Sequence, residues 1–562
     1  MEYIGRVIIS SQLHARHNEF YVWSTYAGVD VGSTLVVAED DSERVLGLVT
    51  DSYTTSVSAD DVNEYYSSGL GDPTADGPVE PRAITVYKVK VMRRVPPIMK
   101  PITRRLRVRL ANVKDAELLN QLIKPGHRVL AGFARGGGEP EDPGSWIPVY
   151  YDARYLAGPE GAHININGKS GLAAKTSYAL FLITVAMHWA LSQGLRVAAV
   201  LFNVKQCDLF RLVAVLDLQS WGQVEELIKQ YFSNRPEVAR ANIGMWRWIA
   251  REFKLAKPSD LIPHDSSGKP MLSLWTYSAG DPCVGIAKAH GVQPRVFSYG
   301  VKDLSEYELE ELLAGGDYDS LTEAQRDYVT QLARNLLNMQ GVTFGALLED
   351  AANLVMGRPS RILGRVGGQA VRDETRRVIA RKIVNTLGNA QGLAMLGESG
   401  DPIAGVQEGL NIIQLNMPSQ AVQRLVFGNV LRQLMRAQEG GAFDHVLVFV
   451  DELNKFAPRR GDSPIRELIR EVAARARSLN IGLVGAQQFA TLIDEEVYGN
   501  ASTYVIGNTD DSELESEEYR KFGEFRGLIP SLSQGEVVVY QVATQTTPIK
   551  VVFPIMLHEL VT

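Results

Sequence analysis

The run from Ala162 to Val204, AHININGKSGLAAKTSYALFLITVAMHWALSQGLRVAAVLFNV, limits the fold more than any other stretch. AHININ reads as a strand, YALFLITVAMHWALSQG as a helix ended by Gly194, and RVAAVLFNV as a second, buried strand. Strand, helix and strand in that order make a βαβ unit, so a parallel sheet begins here. Further strands follow much later: GLNIIQLN, HVLVFVDE, IGLVGAQQ, EVVVYQV and IKVVFPIM. Between them, EAQRDYVTQLARNLLNMQ and DETRRVIARKIVNTLGNAQGL carry apolar residues at helical spacing beside charged faces. PRVFSYG is a strand-like interruption in that region.

The first 110 residues have a different grain. GRVIIS, FYVWS, STLVVAE, RVLGLVTD and AITVYKVKVM alternate β-branched with polar residues between Gly, Asp and Ser turns, which predicts a small closed barrel. SSGLGDPTADGPVEP reads as a long surface loop within it, and RRLRVRL at Arg104–Leu110 as a solvated strand face. The expected organisation is a barrel and linker over 1–125, the first part of an α/β core over 126–220, a mainly helical insertion over 221–400, and the second part of the core with C-terminal strands over 401–562.

With 562 residues, 45% hydrophobic and 22% charged, the chain can bury a large core. A net charge of −7 argues against a broadly basic nucleic-acid coat, though not against a local basic channel. The two cysteines, Cys207 and Cys283, give no disulfide framework and no metal-binding spacing, which points to reducing cytoplasm. No signal peptide is evident at the N-terminus. Tyr178–Leu191 falls short of the roughly 20 residues that span a bilayer, and His188 and Trp189 interrupt it. A cytoplasmic protein without a membrane contact is expected.

GKS at Gly168–Ser170 and KTS at Lys175–Ser177 both look like the end of a phosphate loop, whose usual spelling is G-x-x-x-x-G-K-[ST]. With Lys169 as its lysine, the loop would have to fit within HININ, which alternates like a strand and has no glycine. With Lys175, the loop is GKSGLAAKTS: Gly168, Ser170, Gly171, Leu172, Ala173 and Ala174 join the strand to the helix, where backbone N–H groups can face an anion. Lys175 is the choice, with Thr176 or Ser177 offering a hydroxyl to Mg²⁺. The spelling departs twice, because Ala174 replaces the second glycine and one additional residue precedes the lysine.

About 275 residues downstream, HVLVFVDELNKFAP is an apolar strand ending in Asp451–Glu452. Ligands of parallel sheets bind beyond the carboxyl ends of strands. Asp451 there can serve the Mg²⁺ of a nucleotide, and Glu452 can orient and activate the attacking water. Arg475 and Arg477 precede the next buried strand, and Gln487 and Gln488 end it. A polar residue at that end can sense a γ-phosphate.

The order of these motifs resembles the HerA–FtsK group of ring-forming P-loop ATPases, and the HerA branch most closely. IGRVIIS…GVDVGSTLVVAE…RVLGLV is similar to the small HAS barrel of HerA proteins, HININGKSG…KTS to their phosphate loop, VFVDELNKFAP to their second motif and ARARSLNIGLVGAQQ to their arginine and sensor region. The resemblance implies an α/β RecA-like ATPase core, ATP and Mg²⁺ as cofactors, and a homohexameric ring acting on double-stranded DNA. By position Arg477 matches the trans-acting arginine and Gln488 the sensor, with Arg477 expected at the sheet's catalytic edge but offset from its own phosphate loop. FNVKQCDLF stands where many relatives have an Asp-led acidic motif, which marks a divergent branch. Such bacterial members act with an effector, a nuclease or a sirtuin-like NADase, in anti-phage defence. Two other functions fit the same motifs: an ATP-bound scaffold that activates the effector with little translocation, and a conjugation or secretion ATPase.

Overall fold

A computed structural model of the chain describes residues 3–561, apart from 11, 25, 27, 39–42, 57–82, 157, 170–174, 367–370, 389–399, 404, 418, 462 and 546. The loop SSGLGDPTADGPVEP and loop residues Ser170, Gly171, Leu172, Ala173 and Ala174 lie outside the described residues.

Strands β1 (Tyr3–Ile8), β2 (Glu19–Ser24), β3 (Thr34–Ala38), β4 (Arg44–Ser56), β5 (Ala83–Val95) and β6 (Arg107–Leu110) close an antiparallel barrel in the order β1–β2–β5–β4–β3–β6. Alternation along each strand turns Val7, Phe20, Val22, Leu35, Val37 and Val89 inward to a core of their own. The basic run ends in β6, where Val108 points in. Arg107 there is exposed and lies over the Tyr3 ring, while Arg109 forks onto Asp115 at 2.8 Å.

The second sheet contains β7 (Arg128–Arg135), β8 (Trp146–Asp152), β9 (Ala162–Asn167), β10 (Val197–Asn203), β11 (Leu272–Thr276), β12 (Arg295–Val296), β13 (Gly409–Gln414), β14 (His445–Asp451), β15 (Ile481–Gln487), β16 (Ala501–Ile506), β17 (Glu536–Gln541) and β18 (Ile549–Val552). Their order is β12–β11–β13–β10–β14–β15–β9–β16–β17–β18–β7–β8. Every pair from β12 to β16 is parallel, and the pairs from β16 to β8 are antiparallel. One strand, β15, separates the strand before the phosphate loop (β9) from the strand that ends in the acids (β14). This is the RecA-like order, and the fold is α/β with an N-terminal barrel.

Helix α1 (Lys175–Ser192) follows the loop and is apolar nearly all round, so it has no solvent face to present. It packs across β7, β10, β14 and β15. Gly194, at φ +70, ends it in the left-handed conformation that glycine adopts without strain. Residues 221–400 hold the helices Trp221–Tyr231, Pro236–Glu252, Glu323–Asn338, Phe344–Val355 and Asp373–Leu387, and also supply β11 and β12 to the edge of the main sheet. After β14 comes α2 (Pro464–Leu479), which leads into β15.

His163 joins α2, β9 and β15. Its Nε2 pairs with the Ala473 carbonyl oxygen at 3.0 Å and its Nδ1 accepts from Leu483 N at 3.0 Å. Burial pushes its imidazole down to about 4, and Arg477 adds to the effect.

Candidate nucleotide site

Register decides what meets at the carboxyl edge of the sheet. Phe202 lies opposite Val450, Asp451 opposite Ala486, and Gln487 opposite Asn167. The ends of β10, β14, β15 and β9 therefore emerge level, although they come from distant parts of the chain.

At the end of β9, Gly168 takes φ +157 and passes so close to the next strand's exit that an added Cβ would sit 3.3 Å from Gly507 Cα. Lys169 donates its backbone N–H to Asn508 O at 2.7 Å, and its ammonium pairs with Asp510 at 2.6 Å. It is directed to the β16 side, away from the acids. Lys175 opens α1 and is buried; burial lowers the pKa of its ammonium, Asp451 acts in the opposite direction, and Lys205 adds to the lowering.

The hydroxyls of the two residues after Lys175 diverge. Thr176 Oγ1 donates to Asp451 Oδ2 at 3.2 Å, whereas Ser177 Oγ donates to Glu559 Oε1 at 2.6 Å, on another side of the helix. Of the two hydroxyls the sequence offered for a metal, Thr176 is the one that reaches the acid pair. Burial raises the carboxyl pKa of Glu559. Beside Ser177 a cavity of about 440 Å³ opens between the barrel turn at Asp30–Ser33 and the main sheet, with Trp146, Phe232, Met245, Phe553 and Ile555 among its walls.

Asp451 is nearly fully buried, and its Oδ1 accepts the N–H of Glu452 at 3.0 Å. Glu452 has φ +57, an uncommon and costly conformation for a residue with a Cβ, of the kind that clusters at functional sites. Its carboxylate pairs with Lys205 at 3.5 Å and with Lys455. Burial alone would raise this carboxyl; the two lysines outweigh it and hold it below the usual range. Glu452 is thus ionised, suited to orient a water and accept its proton late.

Lys205 is the residue that sequence reasoning passed over. Its ammonium lies 2.7 Å from Asp451 Oδ2. Burial would lower its pKa, but Asp451 and Glu452 leave it raised. The available signal was its place two residues beyond a buried strand, in the motif FNVKQCDLF noted as divergent. Also unforeseen is a buried amide cluster at the ends of β9 and β15. Gln487 Nε2 donates to Asn165 Oδ1 at 2.8 Å and to Asn167 Oδ1 at 2.5 Å, and Asn167 Nδ2 donates to Asn165 Oδ1 at 2.7 Å. Gln488, the residue matched to a sensor, is exposed one position beyond β15, where it leaves the sheet between β14 and β9.

Two expectations are corrected. Cys207 and Cys283 are joined in a disulfide, with Cα atoms 5.3 Å apart. No local spacing signals this pairing, because the cysteines are 76 residues apart and meet only where the turns after β10 and β11 exit the same edge. Arg477 is not at the catalytic edge. It lies exposed in the last turn of α2, before β15 begins, with its carbonyl against the turn at Gly158 that precedes β9. A helix antiparallel to its strands ends at their amino ends, a strand length away from its own phosphate loop. Among the described residues Arg475 pairs with Glu439 and Glu471, at 2.6 and 2.8 Å, and so is engaged within the chain.

No protein-family model matches the chain, and no curated protein sequence matches it. Among solved structures, VirB4 of Thermoanaerobacter pseudethanolicus is 12% identical over 77% of this chain and 97% of its own, with a TM-score of 0.44. The pCW3 conjugation coupling protein TcpA, with ATPgS, is 10% identical over 94% and 91%, with a TM-score of 0.28. The genome packaging NTPase B204 of Sulfolobus turreted icosahedral virus 2, in complex with ATP-gammaS, is 18% identical over 26% and 69%, with a TM-score of 0.21. Likeness at this distance says nothing of activity. No helix among the described residues is long and apolar enough to cross a membrane.

Proposed function

We propose that the chain binds and hydrolyses ATP as one subunit of a HerA-type homohexameric ring that moves on double-stranded DNA. The observation that carries this reading is the bond from Thr176, at the start of the helix after the loop, to Asp451, at the end of an apolar strand 275 residues away. A buried carboxylate and a hydroxyl beside a lysine make a hard-oxygen set that fits Mg²⁺. Thr176 and Asp451 would hold that ion, which supplies charge neutralisation for the phosphates. Lys175 neutralises β- and γ-phosphate oxygens, Glu452 orients the attacking water, and Gln488 contacts the γ-phosphate. The cavity beside Ser177 has room for the nucleoside. Arg477 lies at the amino end of β15, a strand length from its own loop, so any phosphate its guanidinium serves belongs to a neighbouring subunit. The barrel and the three ordered motifs support the HerA assignment, and the divergent FNVKQCDLF supports a defence setting with a nuclease or NADase effector.

The test is phosphate release by the purified protein with and without linear duplex DNA, beside its Asp451→Asn variant. Mg²⁺-dependent release that Asp451→Asn abolishes, with DNA binding that falls steeply with salt, is the expected result. No release from a protein that assembles and binds DNA would overturn the hydrolytic reading.

A further inference from the structure

Lys205 is used by none of the chemistry above, yet it touches both acids. Its ammonium lies 2.7 Å from Asp451 Oδ2 and 3.5 Å from Glu452 Oε1. The oxygen it contacts, Asp451 Oδ2, is the one that also accepts from Thr176. Two parallel strands ending level produce this contact. Phe202 pairs with Val450, so a residue just past the end of β10 arrives beside Asp451–Glu452.

The turn that carries Lys205 is built rather than loose. Asn203 donates to Gln414 Oε1 at 2.6 Å and to the Gln206 carbonyl, and accepts from Leu209 N at 3.0 Å. Gln206 takes φ +31, and the Cys207–Cys283 bond anchors the next residue. The lysine side chain keeps 37% of its surface exposed, leaving an outward path. Asp451, 5% exposed, is a carboxylate that is costly to leave without a cation.

We propose that Lys205 is the site's internal counter-cation: its ammonium holds Asp451 and Glu452 while nucleotide is absent and is exchanged for a divalent cation when nucleotide enters. This rests on the reading that Asp451 serves a divalent ion. Two cations on one carboxylate oxygen repel each other, so the ion and the ammonium compete for Asp451 Oδ2. In the free protein Lys205 therefore suppresses metal binding at the acids and ties cation entry to the arrival of phosphates, whose negative charge gives the displaced ammonium a new partner. Lys205 is a positioning residue, and its effect is on ion affinity.

The experiment is Mn²⁺ binding without nucleotide, read by electron paramagnetic resonance on the full chain. Lys205→Gln should tighten Mn²⁺ binding by about tenfold or more, as expected for loss of a close competing charge. Lys205→Arg, which keeps the charge, should stay within about threefold of the parent, and Asp451→Asn should erase the gain when combined with Lys205→Gln. If Lys205→Gln lowers the melting temperature, Lys205→Met takes its place. Unchanged or weaker Mn²⁺ binding in folded Lys205→Gln or Lys205→Met overturns the proposal, as does a gain that survives Asp451→Asn. A fluorescent ATP analogue separates the two readings: a Mn²⁺ gain in a protein that binds no nucleotide keeps the counter-cation role and removes the ATPase assignment.

Discussion

Exchanging each of the two candidate lysines for methionine, which nearly keeps the side-chain volume, separates them by both rate and stability. Lys169 forms an ion pair with Asp510 whose side chains are 37% and 52% exposed, an arrangement worth about 0–1 kcal/mol. Lys169→Met should therefore lower stability by no more than ~1 kcal/mol and leave turnover within about twofold. Lys175 sits 5% exposed at the start of α1, and burial holds its ammonium below its ordinary pKa. A lysine with a lowered pKa is charged at a cost in the folded state, so Lys175→Met should keep or raise the melting temperature. Its loss removes a preorganised charge from the phosphates, an effect of ~10²–10³-fold in rate, or ~2.7–4 kcal/mol. Phosphate release and thermal melting of the two variants, side by side, make the comparison. Full turnover by Lys175→Met with loss in Lys169→Met would refute the assignment of the loop. A large drop in melting temperature for Lys175→Met would refute the account of its burial.

Glu452→Gln should retain ATP binding and lose ~10²-fold in kcat; unchanged phosphate release would leave Glu452 as a structural acid only. Arg477→Ala should assemble and bind ATP yet hydrolyse poorly, and mixed rings of Arg477→Ala with Lys175→Met should regain activity, whereas a normal rate for Arg477→Ala alone ends the trans assignment. Asp494 is fully buried and accepts from Arg466 at 2.8 Å and Arg470 at 2.8 Å. Burial alone would raise its carboxyl, but the two arginines hold it below the ordinary value, so the stability it contributes is present above pH ~4 and is lost as pH falls through its folded value. Asp494→Asn should cost ~3 kcal/mol in urea unfolding at pH 7, and a loss under ~1 kcal/mol would contradict this. His163 stays neutral in the fold down to about pH 4 but gains a proton below ~6.5 when unfolded. Its contribution is thus full above ~6.5 and declines towards 4. In His163→Gln the fall in melting temperature from pH 7 to 5 should be smaller than in the parent, and an equal fall would show that His163 does not titrate as described.

Much of the fold was legible because its signals are local. The barrel strands announce themselves by alternation, α1 by a long apolar run, and the acid pair by ending the apolar strand HVLVFV. The direction of Thr176 against Ser177 was not legible, because adjacent residues on a helix point about 100° apart and only the packing of α1 says which faces the acids. The edge on which Arg477 lies was misjudged for a related reason. Adjacency to a strand in sequence places a residue at the strand's beginning, and for a parallel sheet that is the end opposite the ligands.

The sequence by itself determined that strands alternate with helices after residue 126, that a Gly–Lys loop leads into a buried helix, and that two acids close an apolar strand. Each follows from periodicity or from neighbours a few residues apart. The tertiary structure alone decided that β15 lies between β9 and β14, that Lys205 meets Asp451 across 246 residues, and that Cys207 finds Cys283. Strand order and register are set by how helices pack back onto the sheet, a property of the assembled layers with no counterpart in local spacing.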